Sequence, residues 1–440
     1  MLDGFLIGIL GLVGLLFLIA LRVPIAYTMI LVGIVGVSLQ SGLWIVLNQL
    51  KDLAYAQFSN YDLSVLPMFV LMGSLASRCG LSADLFRGAN AFLGRLQGGV
   101  AMAAVVACAG FGAVCGSSTA TASTMGQVAL PELRKYRYSG ALATGTIAAG
   151  GTLGILIPPS VVLIVYAIIV EVNIVTMFAA ALVPGILATL MFVGTVALYV
   201  RLVPGSGPTG APVPREELIA ASLAMLPVVV IFGTVIGGIY AGLYSPTAAA
   251  AVGVVLVVVY GVVRRRLSLP GIRDGLLETA RTSGMIFLIL LGAELLKIFM
   301  SRAGVPQTAA DFLQTSGLSA MAILFLIIVT FIILGCLMDS LSMVILAIPF
   351  FWPVVAGLDF GLSPNETKIW FGIIILVVVE LGLITPPVGL NVFIINSMAR
   401  DIPMRETFKG VMPFLGTELV RVTLLILFPV ITLSLPRLLQ

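Results

Sequence analysis

The chain has 440 residues, 60% of them hydrophobic and only 10% charged, with a mean hydropathy of +1.19, a net charge of +4 and no histidine. A soluble domain carries about 25% charged residues, so this composition cannot build a water-facing surface of ordinary size, and its small, scattered positive charge gives no footing for nucleic acid. Without imidazole the commonest general base and transition-metal ligand are missing, and Cys79, Cys108, Cys115 and Cys336 show no metal-ligand or disulfide-framework spacing.

Spanning helices need about 20 apolar residues each, and the chain has room for roughly ten of them. Alternating strand patterns are absent, which argues against a barrel. Apolar stretches fall at about 2–21, 23–42, 62–77, 139–171, 173–200, 218–240, 244–263, 280–300, 365–397 and 410–435. The first opens MLDGFLIGIL, with an acid and no basic n-region, so it reads as a retained span. Residues 44–58 and 82–96 mix charged and apolar positions at helical spacing, which predicts short helices along the interface. Basic residues gather on cytoplasmic loops. With the N-terminus in the periplasm, Arg22, Arg78, Arg95, Arg134, Lys135, Arg137, Arg201 and the run Arg264, Arg265, Arg266 all fall inside, as do most of the others.

The stretch 98–131 is free of charge and flanked by Arg95 and Arg134, so both ends belong on the same side. Two arms of about 16 residues, roughly 24 Å each, are short for crossing a core of about 30 Å twice. A re-entrant hairpin is predicted, with its tip at residues 115–119. The stretch 318–357 repeats the plan from the opposite side with a tip at Met338, Asp339 and Ser340; its longer arms also allow two full spans. After each comes an over-long span, 139–171 and 365–397, interrupted by Gly154, Pro158 and Pro159 in one and by Gly382, Thr385, Pro386, Pro387 and Gly389 in the other. Paired prolines remove backbone donors and disfavour helix at the residue before them, so both spans are expected to break in mid-membrane. The strings GILIPPSVVLIVYA (154–167) and GLITPPVGLNVFII (382–395) align, and the charge pattern makes the two halves run in opposite senses.

The predicted fold is therefore an all-α integral membrane protein of about ten spans built as an inverted repeat. It divides into scaffold spans at 1–60, a first repeat at 61–200, a linker with scaffold spans at 201–279 and a second repeat at 280–440. Bare peptide groups in lipid are costly, and broken helices meeting near the midplane are the pattern of secondary transporters. Main-chain carbonyls of Gly112, Cys115, Gly154, Ile157 and Pro158 can surround one cation, and those of Gly335, Met338, Gly382, Thr385 and Pro386 a second. Such hard oxygen ligands suit sodium. For any single glycine, close helix packing is an equal explanation. Ser117, Ser118, Thr119 and Ser160 can donate to a carboxylate cargo, and Asp339 with Ser340 stands at the second tip. Asn391 can face the cavity or cap the half-helix after the second break. Thr121 and Ser123, farther down the returning arm, are expected to bond back to the i−4 carbonyl. Asp339 can balance a cation or cap its helix, Glu380 is a structural partner for the second break, and the pairs Glu294–Lys297 and Glu418–Arg421 are expected to neutralise themselves.

FGAVCGSSTATASTMG (111–126), GTLGILIPPS (151–160), LGCLMDSLSMVILAIPFFWPV (334–354) and LGLITPPVGLNVFI (381–394) together resemble the large membrane subunit of the tripartite ATP-independent periplasmic (TRAP) transporters over essentially the whole chain. The resemblance implies uptake of a small organic anion, mostly carboxylates such as C4-dicarboxylates, sialic acid or sugar acids. It also implies a sodium gradient as the driving force, elevator motion of a substrate-carrying bundle, a small four-helix membrane partner and a periplasmic substrate-binding protein. The chain starts at its first family-like span, so the small partner is expected as a separate chain. Relatives often carry hydroxyls at the positions of Gly112 and Cys115, which leaves main-chain carbonyls alone at these two places here. A stand-alone divalent anion–sodium symporter is the alternative, though its usual Ser-Asn-Thr tips are absent. A membrane enzyme lacks any catalytic constellation here, and a passive channel is opposed by hairpins meeting in mid-membrane.

Overall fold

The computed structural model describes residues 4–210, 214–315 and 317–439. They are helical almost throughout, with one isolated bridge between Gln97 and Thr209. The chain opens with α1 (Gly4–Ala20), α2 (Ile25–Ser41), α3 (Leu43–Phe58), a 3-10 turn (Tyr61–Ser64), α4 (Val65–Arg78) and α5 (Leu81–Leu93). A five-helix series follows: α6 (Gly99–Cys115), α7 (Ser118–Lys135), α8 (Gly140–Leu156), α9 (Val161–Ile169) and α10 (Ile174–Leu202). Next come α11 (Arg215–Tyr240), α12 (Pro246–Val263), α13 (Leu269–Ala303) and α14 (Val305–Thr315). The series then recurs as α15 (Ala320–Gly335), α16 (Ser340–Ala356), α17 (Pro364–Gly382), α18 (Leu390–Met398) and α19 (Met404–Leu427), and α20 (Val430–Leu439) closes the chain.

Local chemistry sets these boundaries. Ser117, Ser139, Ser160 and Asp339 cap α7, α8, α9 and α16, each accepting a first-turn N–H. Ser363 and Glu366 form a capping box at the start of α17. α8 ends because Ile157, standing before Pro158, is extended (φ −97°, ψ 120°). Beyond Pro386 and Pro387, α18 restarts only after Gly389, whose φ of +62° favours glycine. The apolar stretch 410–435 is two helices and not one, since Phe428 before Pro429 leaves the helical region. α13 reaches well upstream of the apolar stretch at 280–300, because its first turns are charged and invisible to hydropathy although Ser268 caps them.

α6–α7 and α15–α16 are helical hairpins, and each packs against its own broken helix: α6 and α7 on α8, α15 and α16 on α17. The half-helix beyond each break crosses to the other repeat, α9 lying on α16 and α18 on α7. Tyr166, near the end of α9, donates its hydroxyl to the Lys368 carbonyl at 2.7 Å near the start of α17. At the opposite end, Gly140 at the start of α8 lies against Ile402 and Glu406, just past α18. The two broken helices therefore run antiparallel, and the repeats are inverted.

Among the described residues, α10, α11, α12, α13 and α19 are each long and apolar enough to cross a membrane alone. α8 with α9, bent by 45°, and the turn plus α4 with α5, bent by 66°, raise the count to seven if each pair is one span. The segments 44–58 and 82–96, expected as short interfacial helices, are helical as α3 and α5, and α5 can instead belong to a bent span with α4. α5 is fastened by buried Asp84, which accepts from Arg266 at 2.5 Å and from the Tyr260 hydroxyl. The expected pair Glu418–Arg421 is present and fully buried, with Arg421 Nε donating at 3.0 Å, and Lys297 meets Glu294 at 3.3 Å. In lipid, helices gain most from close backbone approach, which α8 and α19 achieve through Gly145 and Gly410. A methyl on Gly410 would strike the Ala141 carbonyl, whereas Gly416 on the same helix has nothing within 4 Å. Thermal unfolding in detergent should show Gly410→Ala losing about 1–3 kcal/mol to overpacking and Gly416→Ala losing nothing.

Candidate functional site

The site begins where the hairpins turn. α6 stops at Gly116, whose φ of +67° lets the chain reverse, and Ser117 then starts α7, its hydroxyl accepting from the Ala120 N–H at 3.4 Å. In the second hairpin Asp339 starts α16, accepting from the Ser342 N–H at 3.2 Å. Each turn lies backbone to backbone on a break. A methyl on Gly112 would collide with the Gly154 Cα, and one on Gly382 would sit 2.6 Å from the Gly335 Cα. All four glycines are buried.

One carboxylate joins the two tips. Glu380, 1% exposed, accepts at the same Oε1 from Ser118 at 3.2 Å and from Ser340 at 2.6 Å, the first residues of α7 and α16. It serves both hairpins and not only the second break. In front of it opens a cavity of about 620 Å³, lined by Ser117, Ser118 and Thr119 of one tip, Asp339 and Ser340 of the other, and residues of α4 and α13. The N-termini of α7 and α16 thus face one space with their partial positive charge and free N–H groups.

Of the predicted cargo residues, Ser117, Ser118, Thr119, Asp339 and Ser340 meet at this cavity. Ser160 and Asn391 do not line it. Ser160 is fully buried and caps α9, accepting from the Leu163 N–H at 3.4 Å. Asn391 is equally buried and donates to the Ala148 carbonyl at 3.4 Å, while α18 is started by Gly389. Thr121 does not bond back to its i−4 carbonyl; its buried hydroxyl has no hydrogen-bond partner. Ser123 lines the cavity.

The predicted cation positions gather in two groups, each where a hairpin's first arm and a broken helix both end. In the first, α6 and α8 finish at Cys115 and Leu156, and the carbonyl of Gly154 faces Pro158 at i+4, which has no N–H to donate. Ile157 still donates its N–H to Leu153 at 3.3 Å. In the second group, the Gly382 carbonyl accepts from the Thr385 N–H at 3.1 Å, and the Thr385 hydroxyl returns to Leu381 at 2.6 Å. The Met338 N–H goes to Leu334 at 3.2 Å, and the Pro386 carbonyl lies 3.5 Å from the Cys336 thiol. Pro158 is buried whereas Pro386 is exposed, so the two breaks share a plan but not an environment.

Sequence reasoning missed the far wall. Arg78, at the end of α4, is the one cationic side chain on the cavity among the described residues; it donates to Glu278 of α13 at 2.9 Å, and Ser74 donates to the same oxygen at 2.7 Å. Both charges lie beyond the ends of apolar stretches, where hydropathy reads loop. The signal available was the charged start of α13 running in helical register into the apolar stretch.

Twin hairpins on antiparallel broken helices, enclosing one cavity within an apolar helical body, define a membrane transport protein. The chain belongs to the DctM component of the tripartite ATP-independent periplasmic transporters, whose family model matches residues 12–431. It is 33% identical to a C4-dicarboxylate TRAP transporter large permease protein of Pseudomonas aeruginosa, over 88% of this chain and 90% of that one. It is 29% identical to the sialic acid TRAP transporter large permease protein of Vibrio cholerae, over 98% of each. Among solved structures, the YdaH transporter of Alcanivorax borkumensis shares the fold with a TM-score of 0.65 at 14% identity, covering 88% of this chain and 89% of that one.

Glu380→Leu should strand the hydroxyls of Ser118 and Ser340, costing about 1–3 kcal/mol for each unpaired group, while Glu380→Gln keeps an acceptor oxygen and loses less. Thermal unfolding measures the cost, and alkylation of Cys115 at the tip should be faster in the leucine variant.

Proposed function

We propose that this chain carries a small organic anion, a carboxylate of the C4-dicarboxylate, sialic acid or sugar-acid kind, inward across the bacterial inner membrane on a sodium gradient. The carrying observation is that two helix N-termini, the Ser117 and Thr119 hydroxyls and Arg78 face a single cavity, while Ser118 and Ser340 give their protons to Glu380 and the carboxylates of Asp339 and Glu278 stand on the same wall. An anion needs donors and positive potential when it leaves water; the helix ends and free hydroxyls offer the donors, and Arg78, which shares its charge with Glu278, offers the cation. Relatives named for C4-dicarboxylate and sialic acid transport support the same cargo class.

Sodium binds at the C-termini of the neighbouring helices. The C-termini of α6 and α8, and of α15 and α17, direct partial negative charge and unpaired carbonyls at the two breaks. One ion would be held by carbonyls of Gly112, Cys115, Gly154, Ile157 and Pro158. The other would be held by Gly335, Met338, Gly382, Thr385 and Pro386. The buried, unpartnered Thr121 hydroxyl and the donorless Gly154 carbonyl fit an alkali cation better than they fit an empty packing contact. With ions behind the tips and cargo in front, each binding event lowers the cost of the other, which is the coupling.

In this reading the hairpins re-enter the membrane from opposite faces, with the N-terminus in the periplasm. The tips and broken helices, tied at Glu380, move as one body past α1, α2 and α11–α13 in an elevator stroke. A periplasmic binding protein delivers the cargo, and a small four-helix membrane subunit completes the transporter, as the family's tripartite character implies.

Proteoliposomes holding this chain and its small partner, supplied with loaded binding protein, test the proposal. Uptake should fall at least about tenfold when K⁺ replaces Na⁺, and undiminished uptake would overturn sodium coupling. Arg78→Gln should raise the KM for cargo about tenfold or more, the worth of one charge-assisted contact, with Arg78→Lys in between.

A further inference from the structure

One hydroxyl in the first hairpin has no use in the packing. Thr121 lies one turn into α7; the residue is wholly buried, and its Oγ1 has no hydrogen-bond partner. Helical threonines ordinarily return this hydroxyl to the i−4 carbonyl, as Thr144, Thr189 and Thr385 do here at 2.8, 3.0 and 2.6 Å. Thr121 instead turns its oxygen toward α8. A Cβ built on Gly154 would lie 2.5 Å from Thr121 Oγ1 and 2.7 Å from the Ser117 carbonyl oxygen, so two oxygens crowd the bare face of that glycine. The neighbouring Cys115 sulfur takes only a weak contact from this hydroxyl, which leaves the oxygen's lone pairs free.

The surroundings are rich in acceptors and poor in donors. The C-terminal ends of α6 and α8 meet here, each with carbonyls that have no intrahelical partner, and the i+4 position of Gly154 is a proline. A hydroxyl can satisfy one such carbonyl, but a cation satisfies several at once and takes the hydroxyl's lone pair as well. Gly112 offers no side chain, and a thiol is too soft a ligand for an alkali ion. The neighbouring Thr152 hydroxyl is already committed to the Ala149 carbonyl at 2.6 Å. We propose that Thr121 Oγ1 is the side-chain ligand of the cation held between the ends of α6 and α8.

This inference rests on the sodium reading above and adds an asymmetry to it. Matching Ser118 with Ser340 puts Met343 in the place of Thr121, and its sulfur lies 3.4 Å from the Cβ position of Gly335. The second break therefore has a thioether where the first has a hydroxyl, and the two cation sites differ in kind.

Purified full-length protein without cargo provides the test. Its thermal midpoint is followed as NaCl replaces choline chloride at constant ionic strength. Thr121→Val, which keeps the shape and loses the oxygen, should raise the sodium concentration for half-maximal stabilisation by about tenfold. Thr121→Ser should titrate like the parent. Thr121→Ala repeats the deletion without a second branch to misplace. Adding Cys115→Ser to Thr121→Val should recover part of the affinity, because a hydroxyl then stands beside the vacated one; a packing role for Thr121 would not be rescued this way. If the parent responds to sodium and both deletions titrate identically to it, Thr121 is not a ligand and the sodium reading stands. If the parent shows no sodium response, the sodium reading falls and this assignment falls with it.

Discussion

Everything in this molecule depends on how closely two turns approach two breaks. Gly112 lies on Gly154 and Gly335 on Gly382 with no side chain between them. Contacts of that kind bring main-chain dipoles together, and in lipid they are the contacts worth most, since apolar side chains gain little by leaving a hydrocarbon solvent. They also carry a penalty. Helix ends and proline gaps expose carbonyls deep inside the protein, where an unpaired group costs free energy that water would otherwise offset. Under the proposed function, a bound ion completes such groups.

The N-termini of the returning arms α7 and α16 account for the cavity side. At each hairpin tip one helix ends and the next begins, so places of opposite potential come as adjacent pairs. Glu380 stands between them. One of its oxygens takes the first hydroxyl of α7 and of α16, so neither tip can move from the other without breaking a buried hydrogen bond, which leaves a polar group unpaired. Its aligned partner in the first repeat is Thr152, whose hydroxyl is turned onto its own helix. The inverted repeat is thus symmetric in backbone and asymmetric in charge. Glu278 introduces a second asymmetry, holding Arg78 and Ser74 at the far wall where a cargo carboxylate could take its place.

Much of the architecture was legible along the chain because it is written in local chemistry. A charge-free stretch bounded by Arg95 and Arg134 gave the first hairpin, the recurrence of its plan pointed to the second, paired prolines gave the breaks, and the string shared by 154–167 and 382–395 gave the repeat. Each signal acts within about one helical turn, where the residue before a proline or a missing N–H decides the backbone directly. The tip residues that line the cavity were legible for the same reason, since they are the polar residues at the turns. Ser160 and Asn391 looked equivalent to them in sequence but are buried behind the cavity, because a half-helix beyond a break packs on the other repeat, a contact no local pattern encodes.

The amino-acid sequence alone determined that this is a membrane protein, that its halves repeat and where its helices must stop, because hydropathy, glycine and proline act on the chain at close range. Only the tertiary structure decided which groups share a space. Glu380 meets Ser118 across 262 positions of sequence, Arg78 meets Glu278 across 200, and Thr121 is left without a partner beside Gly154. Those outcomes follow from the antiparallel packing of two broken helices, and side-chain partnership in a close-packed interior is set by that geometry and not by residue type.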